Sequence, residues 1–162
     1  SHIVTNARWF AMTERDIPSL IGWAEKLTGP DREFDCYLHG LAIGGRFHAL
    51  GDGSYCILER PIDGLWIRGV WSLRRIPRYT GSLDAIVALV EKTLPGWLIQ
   101  QYDAGVYGAD RPTAHLFEPD FAKKSRTEKP YLRADGSGNS RPLALCTALL
   151  RALQSKGEGN DA

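Results

Sequence analysis

The spacing of apolar residues is most regular between residues 83 and 94. The apolar positions there are Leu83, Ile86, Val87, Val90 and Leu94. This spacing lines one face of a helix. Ser82 is a favourable N-cap, since its hydroxyl accepts a backbone N–H. Pro95 and Gly96 end a helix, because proline lacks the backbone donor and glycine accepts a left-handed turn. The pattern therefore predicts a helix over residues 83–94 and a strand that starts directly after it, at Trp97.

The same periodicity predicts three further helices. The first begins after Thr13, which can cap it, has Asp16 in its first turn, and carries an apolar stripe from Ile17 to Leu27. The second spans residues 31–43 and ends at a glycine pair. Because only a short corner separates these two helices, we expect them to pack as a pair. The last helix spans residues 140–157, with Ser140 as its cap and a strongly apolar face.

Short strands are predicted where β-branched and aromatic residues alternate with polar ones. They cover residues 55–58, 65–71, 97–102, 105–107 and 113–117. The first two form a hairpin around a turn at residues 61–64. Residues 118–139 are rich in turn formers and charged side chains, so we expect a loop there.

Together these elements predict an α+β fold. We expect a mainly antiparallel sheet of about five strands, covered by the N-terminal helix pair and the two further helices. A single domain is expected over residues 12–157, with Met12 as the natural start. Residues 1–11 are interpreted as an upstream extension or a vector-derived segment, with a strand inside them as the alternative. Residues 158–162 are expected to be a disordered polar tail.

Composition and charge narrow the class of protein. Apolar residues make up 43% of the chain and charged residues 24%, as in a soluble globular protein. The net charge of +1 disfavours a duplex-DNA binder, which usually carries a clear basic excess. Apolar runs are too short for a membrane span. Cysteines at positions 36, 56 and 146 lack disulfide or zinc spacing, so we expect buried thiols and a reducing cytoplasm.

Three segments in order resemble one known family. They are residues 27–35 (LTGPDREFD), 79–85 (YTGSLDA) and 141–150 (RPLALCTALL). In this order they resemble the phage ABA-sandwich domain, found in small proteins of phages and prophages. The resemblance implies a sheet covered by helices and a place in the bacterial host cytoplasm. It implies neither a catalytic residue nor a cofactor.

The clearest candidate site precedes the helix that begins near residue 82. Arg74, Arg75 and Arg78 stand beside the exposed N–H groups of that helix start, where Thr80 and Ser82 add hydroxyls. Guanidinium groups at a helix N-terminus favour a phosphate, a nucleotide or a carboxylate. The alternative is a solvated basic loop in which Ser82 only caps the helix. The chain has no glycine-rich phosphate-loop motif.

Other candidates favour structural roles. Asp35 and His39 have the spacing of one helical turn, but a metal site needs three or four ligands, so we expect no metal. The motif of a nucleophilic serine is absent. Trp66 and Trp71 are five residues apart in a strand, which places them on opposite faces. We expect core packing for both, with a partner-binding role for Trp71 as the alternative.

Two functions follow from these observations. The first is a phage- or prophage-encoded, non-enzymatic binding protein that contacts a host or phage protein, such as a host defence component. The alternative is a nucleotide or small-anion binding protein that uses the helix N-terminus and the arginines, with a small enzyme as the less favoured form.

Overall fold

A computed structural model describes residues 16–119 and 132–160 of the chain. Within these residues it contains four α-helices and two antiparallel sheets of three strands each. The helices are α1 (Ile17–Lys26), α2 (Arg32–Ala42), α3 (Leu83–Thr93) and α4 (Arg141–Asn160). The strands are β1 (Arg46–Leu50), β2 (Tyr55–Ile62), β3 (Leu65–Ser72), β4 (Leu98–Tyr102), β5 (Thr113–Phe117) and β6 (Arg133–Ser137). Two short 3-10 helices occur at Leu73–Arg75 and Val106–Gly108.

Contacts divide these residues into two compact units. The first unit contains residue 16 and residues 31–78, and therefore α2 with the sheet β1-β2-β3. The second unit contains residues 17–30 and the chain from residue 79 onward, and therefore α1, α3 and α4 with the sheet β4-β5-β6.

In the first unit, α2 packs on β1 and β2. Tyr37 of α2 meets Phe47 of β1 edge to face, with the ring centroids 4.5 Å apart. The thiol of Cys36 in α2 forms a hydrogen bond with the thiol of Cys56 in β2. Both cysteines are buried and free, as is Cys146 in the second unit, which confirms the prediction of buried thiols.

In the second unit, α4 is the central element. It packs on β5 and β6, while α1 and α3 pack against it. Leu143, Leu149 and Leu150 are fully buried along its face. Arg151 of α4 forms an ion pair with Glu25 of α1 at 3.0 Å, so α1 is held by charge as well as by apolar contact.

The α+β class is confirmed, but the single sheet of about five strands is not what the structure shows. The described residues contain two sheets of three strands. The two N-terminal helices are also divided, because α1 packs on α4 whereas α2 packs on β1. Local periodicity predicts that a helix has an apolar face, but it carries no information on which sheet that face will cover.

Three local predictions are wrong. Residues 46–50 form β1, which was not predicted, and residues 133–137 form β6 where a loop was expected. The polar sequence of β6 becomes a strand because it pairs with β5 along its whole length. Conversely, residues 105–107 are not a strand. Gly105 and Tyr107 both have positive φ, which an extended ladder does not permit.

The other predicted helices and strands are confirmed with small shifts at their ends, except that α1 begins at Ile17 and Asp16 lies outside it, while the predicted cap at Thr13 lies outside the described residues. Ser82 caps α3 by accepting the backbone N–H of Ala85 at 3.2 Å. The β2–β3 turn is shorter than predicted, since only Asp63 and Gly64 leave the ladder, both with positive φ. α4 runs to Asn160, past its predicted end. The predictions for residues 1–11, Met12 and the last two residues lie outside the described part of the chain.

Candidate anion-binding site

The segment that follows β3 folds back sharply. Ser72 caps the first 3-10 helix, and its hydroxyl oxygen accepts the backbone N–H of Arg74 at 3.3 Å. Leu73 is buried and its N–H donates to the carbonyl of Ser54 at 3.0 Å. Ile76 is also buried and its N–H donates to the carbonyl of Leu73. With these apolar residues inside, the arginines between and after them are exposed.

Arg32, in the first turn of α2, holds this segment in place. One guanidinium nitrogen, Nη2, donates to the carbonyls of Leu73 and Ile76 at 2.5 and 2.8 Å. The other, Nη1, donates to the carboxylate of Asp35 at 2.9 Å and to the carbonyl of Pro77 at 3.2 Å. Asp35 is fully buried, and this guanidinium offsets its negative charge.

A cavity of about 580 Å³ lies at this point of the first unit. It is lined by Arg32, Gly53, Ser54, Ser72, Leu73, Arg74, Ile76 and Arg78. The lining therefore combines arginine guanidinium groups and serine hydroxyls with the buried apolar side chains of Leu73 and Ile76.

The free positive charge of the cavity comes from Arg74 and Arg78. Both side chains are exposed, and neither forms an ion pair within the described residues. The Arg32 charge is balanced by Asp35. The hydroxyl of Ser54 donates to Asp52 at 2.6 Å, and this bond, with that from the Ser54 N–H, lowers the pKa of Asp52. Ser54 therefore has no proton left for a ligand, so an anion would bind mainly to the two arginines.

The residues of the predicted site separate into three places. Arg74 and Arg78 line the cavity together. Arg75 lies instead over the ring of Trp71, with its guanidinium carbon 4.6 Å from the ring centroid. Thr80, which is buried, and the capping Ser82 belong to the second unit. The lining of the cavity thus differs from the predicted set.

The cavity is also lined by three polar residues that are not predicted from the sequence: Arg32, Ser54 and Ser72. A local signal existed for Arg32, which stands three residues before Asp35 and so faces it on the helix. Nothing local indicated that the same guanidinium would bind carbonyls more than forty residues further along the chain.

The two tryptophans of β3 lie on opposite faces of the sheet, as predicted. The ladder places Trp71 opposite Cys56, which faces α2, and Trp66 opposite Pro61. Core packing for both is wrong, because Trp66 is 45% exposed and Trp71 is only half-buried. Trp71 packs edge-on against His39 of α2 at 5.6 Å.

The described histidines do not belong to a cluster large enough to bind a metal ion. Within the described residues, no group of three or more histidine, cysteine, aspartate or glutamate side chains could hold a metal ion. Asp35, the proposed neighbour of His39, binds Arg32 instead. His48 lies beside Glu59, with its Nε2 atom 2.6 Å from the carboxylate.

Acidification should destabilise the protein through His48. Burial lowers the pKa of His48 from its ordinary value of 6.5, although the Glu59 carboxylate raises it. Below pH 6.5 the unfolded chain therefore binds a proton that the folded chain does not, and stability falls until the lower, folded pKa is reached. We expect urea unfolding at pH 7.5 and 5.5 to show a loss that His48→Gln reduces by up to about 1.4 kcal/mol. An equal loss in both proteins would contradict this assignment.

None of the helices in the described part of the chain is long and apolar enough to cross a membrane. The chain matches no protein-family profile, and no curated protein or solved structure is significantly similar to it.

Proposed function

We propose that this chain is a non-enzymatic binding protein that recognises an anionic group of its ligand in the arginine cavity. The observation that supports this proposal is the pair of exposed arginines, Arg74 and Arg78, which share a cavity and have no carboxylate partner in the described residues. The cavity volume of about 580 Å³ is that of a small-molecule site.

The chemistry of the lining suits a phosphate or a carboxylate. A guanidinium presents parallel N–H groups that match two oxygens of either anion, and such charge-assisted bonds are the strong ones. The hydroxyl of Ser72 accepts the N–H of Arg74, which leaves its own proton for a ligand oxygen. The lining side chains are arginine, serine, leucine and isoleucine, apart from one glycine. These groups hold an anion, whereas proton transfer normally uses a carboxylate or an imidazole.

Replacing both arginines should abolish anion binding without unfolding the protein. In Arg74→Ala/Arg78→Ala, each lost charge-assisted hydrogen bond removes about 1.5–3 kcal/mol of binding. We therefore expect affinity for inorganic phosphate and for adenosine monophosphate, measured by titration calorimetry, to fall at least about a hundredfold. Exposed arginines usually change stability by about 0.5 kcal/mol or less, so the melting temperature should be nearly constant.

Arg60→Ala/Arg75→Ala is the matched control. It removes the same charge from the same unit, but neither residue lines the cavity. This variant should bind both anions like the wild type. Equal weakening in the two double variants would show that the arginines act only through overall charge. Absence of phosphate and nucleotide binding to the wild type would overturn the proposal.

A protein partner is the second candidate, and the exposed apolar side chains of β3 favour it. The resemblance to phage proteins suggests a host defence component as such a partner. The wild type and Arg74→Ala/Arg78→Ala, each used to capture proteins from bacterial lysate, should then differ in the partners that they retain.

A further inference from the structure

β3 is an outer strand with an open edge. Within the described residues the strand order is β1-β2-β3, so β3 pairs on one side only. None of its eight residues is buried. Leu65 and Val70 are exposed by 66% and 71%, and Trp66 and Ile67 by 45% each. Natural proteins usually shorten, charge or cover such an edge, because it presents unpaired N–H and C=O groups to other chains.

Both faces of this strand present apolar groups. Residues directly opposite in an antiparallel ladder share a face, and Cys56 and Leu58 of β2 are buried towards α2. Ile67 and Trp71 therefore lie on the α2 side of β3, and Trp66 and Val70 lie on the other. An additional strand would thus meet apolar side chains on each of its two faces.

Several arginines around β3 lack carboxylate partners, although Arg68 of β3 pairs with Glu59. Within the described residues, five exposed arginines of the first unit form no ion pair: Arg46, Arg60, Arg74, Arg75 and Arg78. In the second unit, every described arginine is paired with an aspartate or a glutamate: Arg111, Arg133, Arg141 and Arg151. The described residues of the first unit hold seven arginines and seven carboxylates, so the unit as a whole is not basic. The five unpaired arginines nevertheless make an acidic partner complementary to this part of the surface.

The open edge is continuous with the arginine cavity. Ser72 is the last residue of β3 and also part of the cavity lining. Arg74 and Arg78 follow it within six residues. A strand added along β3 would therefore have one of its ends at the cavity.

From this arrangement we propose that β3 binds an extended acidic polypeptide segment as a fourth strand, with the C-terminal carboxylate of that segment in the arginine cavity. The proposal rests on the anion-binding function of the cavity. Backbone hydrogen bonds to β3 supply affinity, and alternate side chains of the segment contact the two faces. The carboxylate binds Arg74 and Arg78, while Arg60 and Arg75, which flank the ring of Trp71, bind acidic side chains.

Two other occupants fit less well. A single-stranded nucleic acid needs free aromatic faces on which bases can stack, but arginines already lie over both rings, Arg46 at 4.0 Å from the Trp66 centroid and Arg75 at 4.6 Å from that of Trp71. A second copy of the chain, paired through its own β3, would place the arginines of one copy near the same arginines of the other, and these like charges would repel each other.

Fluorescence polarisation with a labelled peptide tests the proposal. The probe is an octapeptide of alternating valine and glutamate with a free C-terminal carboxylate, which matches the length of β3. Ile67→Lys/Val70→Lys should weaken its binding at least about tenfold, because apolar contact is lost and edge lysines oppose strand addition. These lysines add positive charge, so attraction by charge alone would make binding stronger. Amidation of the peptide, or lysine in place of glutamate, should each also weaken binding at least about tenfold.

Leu98→Lys is the matched control, since Leu98 is an exposed apolar residue on β4, an outer strand of the other sheet. It should bind the peptide like the wild type. Ile67→Lys/Val70→Lys should still bind inorganic phosphate, because neither residue lines the cavity. If the wild type does not bind phosphate, the anion-binding function of the cavity is refuted separately from the strand-addition proposal. Unchanged or stronger peptide binding in the lysine variant overturns the inference. Tighter binding of an octamer of deoxythymidine than of the peptide also overturns it. A wild type that is dimeric, together with a lysine variant that is monomeric, does so as well.

Discussion

Replacing Arg32 by methionine should lower the free energy of unfolding by about 3–5 kcal/mol, the usual cost of removing one partner of a buried ion pair. The loss has two causes. Asp35 is fully buried and would keep a charge without its guanidinium partner. The carbonyls of Leu73 and Ile76 would also lose their charged donor. Urea unfolding followed by circular dichroism measures the effect directly.

A second variant identifies the cause of this loss. In Arg32→Met/Asp35→Asn the buried charge is gone, so the double variant should recover part of the stability that Arg32→Met loses. We expect both variants to bind phosphate more weakly than the wild type, because both lack the Arg32 hydrogen bonds to the carbonyls of Leu73 and Ile76. A loss below about 1 kcal/mol in Arg32→Met would mean that groups other than this guanidinium balance the charge of Asp35.

Part of the candidate site could be predicted from the sequence, because it lies in one stretch of chain. Arg74 and Arg78 were selected on charge and on their place before a helix, and they line the cavity. Arg75 has the same charge and neighbourhood, but it lies over Trp71. The direction of each arginine side chain depends on the 3-10 helix after Ser72 and on the burial of Leu73 and Ile76. Neither feature can be predicted from a short run of basic residues.

The helices were the most predictable part of the fold, because their signals are local. The cap of α3 at Ser82 and its apolar face lie within one segment. The division into two sheets was not predictable in this way, since it depends on which strands pair over long distances. β6 is the clearest case. Its sequence, RADGS, is typical of a turn, and it becomes a strand because β5 supplies a ladder and α4 covers its inner face.

Gly136→Ala should test this last point with a loss of about 3 kcal/mol in the free energy of unfolding, the upper end of the usual cost of overpacking. A Cβ atom at Gly136 would lie 2.6 Å from the carbonyl oxygen of Ala144 and in contact with the backbone nitrogen of Ala148. Both are backbone atoms of α4, so no side chain can rotate away, and the helix itself would have to move off the sheet. The expected result is a large drop in the urea midpoint.

Gly157→Ala, in α4 itself, provides the comparison. A Cβ atom there meets nothing within 4 Å, so alanine should be neutral or stabilise α4 by up to about 1 kcal/mol. If Gly136→Ala were as stable as Gly157→Ala, α4 would not lie directly on β6. Close packing of α4 on β6 would then not be the reason for a glycine at position 136.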